Sequence, residues 1–226
     1  MPDDKLKSYL HFHFIVFLWG FTAVLGSLIT LDAIPLVWYR MLLASGFILV
    51  WIKWKNEDLR VSPRKFLVLV IAGIVIALHW LTFFGAIKVA NVSITLALLS
   101  TGAFFTSILE PIFYKRKLVG YEVVFGLIVI VGLYIIFKVE TDHYMGIILA
   151  LISAFLSAVF TLINGKLVKQ AAPSVISFYE LFTGVVAISI YLLVITIISD
   201  GARGFGSGFF VLSATDWIYR LSLASI

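Results

Sequence analysis

Polar residues are so sparse along this chain that their positions alone divide it. Between them run apolar stretches over 10–31, 34–52, 66–86, 92–114, 121–137, 144–163 and 175–198, and an eighth begins near Thr215. A helix needs roughly 20 residues to cross a hydrocarbon layer, so each complete stretch predicts one transmembrane span. The connectors are short, and the pattern predicts a helical bundle with no soluble domain attached. The longest connector, 199–213, contains GARGFGSG and reads as a flexible turn. A phosphate cradle of the GxGxxG type needs a strand before it and a helix after it, and here the flanks are two spans. The last 18 residues carry Asp216 and Arg220 and read as an incomplete span.

Composition agrees with this division. Residues are 62% hydrophobic and 13% charged, and the mean hydropathy is +1.11. A soluble domain of this size could not cover its core with so few charges. The fold class is therefore an all-α polytopic membrane protein. The net charge of +5 changes the picture only in its distribution. Lys5, Lys7, Lys53, Lys55, Arg60, Arg64, Lys65, Lys115, Arg116, Lys117, Lys166 and Lys169 fall on one side of the spans, and Lys88, Lys138 and Arg203 on the other. By the positive-inside rule the amino terminus is cytoplasmic. The expected location is a cell membrane, plasma or bacterial inner. The basic residues set topology and imply no nucleic-acid partner. The first apolar run is too long for a signal core and follows Asp3 and Asp4, so no cleavable signal is expected. The chain has no cysteine, which removes disulfides, thiol nucleophiles and Cys-based metal sites from consideration.

An internal repeat organises the spans. IPLVWYRMLLASG (34–46) aligns with SVISFYELFTGVV (174–186), which sets Tyr39-Arg40 over Tyr179-Glu180. LWGFTAVL (18–25) aligns with LSAVFTLI (156–163). Each pair holds the same place in a block of five spans. Five is odd, so the second block inserts inverted, as in many secondary transporters. Residues 1–138 form the first repeat and 139–226 an incomplete second one. Trp19-Gly20 in the first span, Pro35 with Arg40 in the second, GLIVIVGLYII (126–136) in the fifth and GIILALISA (146–154) in the sixth carry a resemblance to EamA-type drug/metabolite transporters. That resemblance implies ten helices in two inverted halves at full length, of which seven and part of an eighth are present. It also implies export or exchange of amino acids or similar small metabolites. The chain departs from the family pattern in having Ser100-Thr101-Gly102 where a mid-span proline is common, and Lys115-Arg116-Lys117 where an acidic residue is common.

Ionisable residues inside spans are the sharpest functional signals in a bilayer protein. Arg40 is the only charge between Ile34 and Ile52, and at the centre of a lipid-facing helix it would cost about 3 kcal/mol. By helical rise it lies about 5 Å outside the midplane. His79 falls at a similar depth, and Trp19 and Thr101 fall close to the midplane. The four are the candidate substrate-binding layer, with Arg40 meeting an anionic or zwitterionic solute and Trp19 offering a stacking face. The bland alternatives are a backbone clamp for Arg40 and packing roles for His79 and Trp19. Glu180, about 9 Å inside the midplane by the same rise, is the candidate for proton coupling or gating, against a structural pair with Lys115 or Lys166. Glu110 is a second such candidate, against snorkelling to the interface beside residues 115–117. Ala150, Ser153, Ala154, Ser157, Ala158 and Thr161 make a stripe of small residues suited to close packing or a cavity wall. Ser93, Ser100 and Ser107 repeat on one face of the fourth span, suited to a polar lining.

Three function classes compete. A secondary transporter working by alternating access explains the repeat and the polar midplane. A channel explains the midplane alone. A membrane-embedded enzyme would need convergent catalytic groups, yet the Asp residues lie in loops or at span edges and no HExxH occurs. His11 and His13 lack the further ligands that zinc needs. No enzyme activity, cofactor or metal is expected, and the expected partners are the lipid bilayer and a small solute.

Overall fold

A computed structural model of the protein describes residues 2–117, 119–139, 141–199, 204–205, 209 and 214–225. Among them the secondary structure is helical throughout: α1 (Pro2–Leu28), α2 (Ala33–Trp54), α3 (Pro63–Val89), α4 (Val92–Leu99), α5 (Gly102–Tyr114), α6 (Gly120–Val139), α7 (Tyr144–Leu167), α8 (Pro173–Ile198) and α9 (Ala214–Ser225). Among the described residues seven helical stretches are long and apolar enough to cross a membrane, counting α4 and α5 together as one. The protein is a multi-pass membrane protein.

The starts of these helices follow from local chemistry. α3 and α8 each begin on a proline in the first turn, where the missing N–H breaks no helical bond. α4 is capped by Asn91, whose side chain accepts from the Ile94 amide at 2.8 Å. The fourth span differs from a single helix. It breaks at Ser100-Thr101, where the Thr101 amide donates to Leu98, three residues back, at 3.1 Å. The Ser100 and Thr101 hydroxyls return to the Ala97 and Leu98 carbonyls, both at 2.6 Å. Such back-bonding competes with the helical ladder and bends it.

α3 is the central helix and packs against α1, α2, α4, α7 and α8. Its partner α7 turns the small-residue stripe toward it, with Ala150, Ser153, Ala154 and Ala158 buried. Small side chains let the backbones approach, which matters because lipid supplies no hydrophobic drive for helix association. α3 and α8 approach closely at Gly73, where an added Cβ would lie 2.6 Å from the Glu180 carbonyl oxygen and 2.7 Å from the Thr183 Cβ. The exposed surface of α1 and α6 is rich in Phe, Leu, Ile and Tyr, the composition of a face that meets acyl chains.

Candidate functional site

The described helices enclose a cavity of about 950 Å³ lined from α1, α2, α3, α7, α8 and α9, with a contribution from Leu99 of α4. Arg40, His79 and Trp19 line it, and so does Glu180, the candidate coupling group. Ser157 and Thr161 of the small-residue stripe also reach its wall.

Arg40 is 8% exposed. Its guanidinium carbon sits 4.1 Å from the Trp80 ring centroid and 5.8 Å from that of Phe84. Stacking on Trp is the strongest form of cation–π contact and strengthens when the pair is desolvated. It covers one face of the guanidinium and leaves the N–H edge for another partner. The Nε of Arg40 has no hydrogen-bond partner among the described residues. A buried donor with nothing to bond is costly, and a carboxylate or phosphate in the cavity matches its geometry.

His79 is tied to α7. Its Nδ1 is 2.9 Å from both the Ser153 carbonyl oxygen and the Ser153 hydroxyl, and that hydroxyl also lies 3.2 Å from the His79 carbonyl oxygen. Its ring edge therefore reaches the cavity from a residue that joins two helices. Trp19 is 61% exposed and touches the cavity from the rim. Thr101 is buried, its hydroxyl is committed to the Leu98 carbonyl, and it lies off the cavity wall at the α4–α5 break. Ser100 and Ser107 likewise bond carbonyls of their own span.

Glu180 is 3% exposed. Its Oε2 accepts from the Asn164 Nδ2 at 3.4 Å, and its Oε1 has no partner among the described residues. Glu110 lies elsewhere, joined to Arg116 at 3.0 Å, and Arg116 also holds Glu122 at 2.8 Å. The bonds to Glu122, then Glu110, push the Arg116 guanidinium above its ordinary value. Its stabilising charge is thus lost only as pH climbs past that raised value, far above any cellular pH.

The two ends of the bundle are finished differently. On the α1–α2 side, the Thr30 amide and hydroxyl donate to Asp216 at 3.0 and 2.9 Å. Lys88 donates to the Ile29 carbonyl. Tyr39 stacks on Phe209, and the Arg220 guanidinium carbon lies 4.2 Å from the Tyr39 ring centroid. On the opposite side, the Tyr179 hydroxyl donates to the Leu59 carbonyl at 2.9 Å. Lys65 donates to the Gln170 carbonyl at 3.1 Å. Trp80 and Asn164 were missed in the sequence. Trp80 follows His79 directly, and Asn164 stands one turn beyond the small stripe; a search for polar or aromatic partners of the two buried charges would have reached both.

The fold defines a helical membrane bundle, with Arg40 and Glu180 on the wall of one cavity. The chain belongs to the EamA-like transporter family, whose sequence model matches residues 6–138, more than half of its length. It is also 25% identical over 189 residues to a protein of Archaeoglobus fulgidus described as an uncharacterized transporter. That match takes in 80% of this chain and 65% of the relative, so the chain covers just under two thirds of the relative's length.

Proposed function

We propose that this protein is a secondary transporter, an exporter or exchanger of small anionic or zwitterionic metabolites such as amino acids, working by alternating access around the cavity. It resides in a cell membrane with its amino terminus in the cytoplasm. Residues 1–138 and 139–226 are read as a five-helix repeat and an incomplete inverted counterpart. Helix packing supports that reading. α2 packs on α8; α3 packs on α7 as α1 packs on α9; α3 packs on α8 as α2 packs on α9. A two-fold exchange of the first three spans with the last three generates this pairing.

The observation that carries the proposal is Arg40: buried on a cavity wall, backed by Trp80, and short of a partner at Nε among the described residues. In this reading Arg40 holds the anionic group of the solute, Trp19 and His79 complete the lining, and Glu180 supplies coupling or gating. Thr101 acts through the helix break, and Glu110 takes no part. The test is a panel of radiolabelled amino acids presented to proteoliposomes of the full-length protein. Arg40→Leu should fold and lose saturable flux. Arg40→Lys should fold and transport weakly, because an ammonium lacks the planar fork. Normal flux in Arg40→Leu would remove Arg40 from the site, and failure to fold would make it a structural clamp. Flux that rises without saturation in the parent protein would favour a channel.

A further inference from the structure

Two buried side chains joined by one hydrogen bond each keep an acceptor with no donor among the described residues. Asn164 on α7 gives its Nδ2 to Oε2 of Glu180 on α8. The atoms left over, Glu180 Oε1 and Asn164 Oδ1, are buried and lack hydrogen-bond partners among the described residues. A carboxylate is acceptor-only, whereas a carboxylic acid has one O–H to give. We propose that Glu180 and Asn164 form a proton-binding site, in which a proton on Glu180 Oε1 is donated to Asn164 Oδ1. With the bond already present this closes a ring of acid and amide, and both orphaned oxygens are satisfied at once. Rotating the amide by half a turn gives the same answer, since Oδ1 would then face Oε2, again two acceptors needing a proton between them.

The surroundings leave neutralisation to the proton. An ionised carboxylate taken from water into a protein interior costs several kcal/mol unless a cation compensates it. Among the described residues no cation pairs with Glu180. Arg40 of α2 lies on Trp80, and His79 of α3 is bound to Ser153. Lys166 of α7 lies over Phe113 and Tyr114, Arg220 of α9 lies over Tyr39, and the neighbouring Tyr179 hydroxyl is bound to Leu59. A metal ion would want oxygens on every side, and among the described residues no group of three or more His, Asp or Glu side chains is placed to hold one. The proton has a route, because Glu180 lines the same cavity as Arg40. Only its use, as the ion exchanged against solute, rests on the reading of that cavity as a transport path; its presence does not.

Infrared spectroscopy of the reconstituted chain tests the site directly. At neutral pH the spectrum should contain the carbonyl stretch of a hydrogen-bonded protonated carboxyl. Glu180 and Asp216 are the buried acids among the described residues. The band should disappear in Glu180→Gln, survive in Asp216→Asn, and move to the frequency of a freer acid in Asn164→Ala. The Glu180→Gln amide can keep both bonds of the ring, so it should fold; should it not, the Asn164→Ala shift decides. Absence of the band in the parent protein, or its persistence in Glu180→Gln, overturns the proposal, and stabilisation by sodium in place of the band would identify a metal site instead. These spectra do not depend on flux, so a protein that moves no amino acid leaves them standing. In the full-length transporter, an imposed pH gradient should accelerate flux, and Glu180→Gln should lose that acceleration. Flux indifferent to the gradient in the parent would overturn the coupling role and leave the pair.

Discussion

Trp80 explains how an arginine persists where apolar residues surround it on every side in sequence. The indole face supplies what water would have supplied to one side of the guanidinium, a contact worth about 2 kcal/mol when desolvated. Trp80→Leu keeps apolar bulk but loses the ring, and it should lower stability by about that amount, with Trp80→Phe falling between. Thermal unfolding in detergent measures both, and equal stability of all three proteins would show that the stack contributes nothing. Arg40 and Glu180 were legible in the sequence because charge in a long apolar run has few explanations. Their companions were not. A tryptophan or asparagine beside a span is common, and only the packing of α3 on α2 and of α7 near α8 decides which ring or amide meets which charge. Trp19 illustrates the converse: its depth placed it at the cavity, while its rim position depends on how α1 leans, which periodicity does not encode.

Helix packing sets the tolerance of the interior glycines. At Gly73 a methyl group would press on the backbone of α8, which cannot rotate out of the way as a side chain can. Gly73→Ala should therefore cost about 1–3 kcal/mol, the usual range for overpacking. Gly46 has open space where its Cβ would stand, so Gly46→Ala should be neutral or slightly stabilising through helix propensity alone. Melting temperatures of the two variants, compared side by side, check the contrast; a Gly73→Ala protein as stable as its parent would show that α3 and α8 are not locked at this crossing. The spans themselves were readable from apolar run length, including the small-residue face of α7. The break in the fourth span was not, since Ser100-Thr101-Gly102 is compatible with a continuous helix. The hydroxyls decide by returning to Ala97 and Leu98, a choice between two local bonding patterns of similar energy.

At the scale of the whole molecule the distribution of lysine and arginine predicts which connectors face the cytoplasm. Single cysteines are straightforward to introduce because the chain has none of its own. Lys55→Cys and Lys115→Cys should be shielded from an impermeant maleimide in intact cells, and Lys138→Cys should react. Labelling of position 115 from outside would invert the arrangement. Arg203 belongs to the same expected outer set but lies outside the described residues. Asp216 bears on the same scale. It receives both bonds of Thr30, yet it is made 186 residues later. At about 5–20 residues per second, a ribosome reaches it roughly 10–40 s after Thr30. The hairpin of α1 and α2 thus enters the bilayer with its turn unfastened, and the insertion machinery must hold or tolerate it until α9 emerges. Fastening of that turn waits for α9, and Asp216→Ala should slow maturation of the nascent protein more than it disturbs the path of the first two helices.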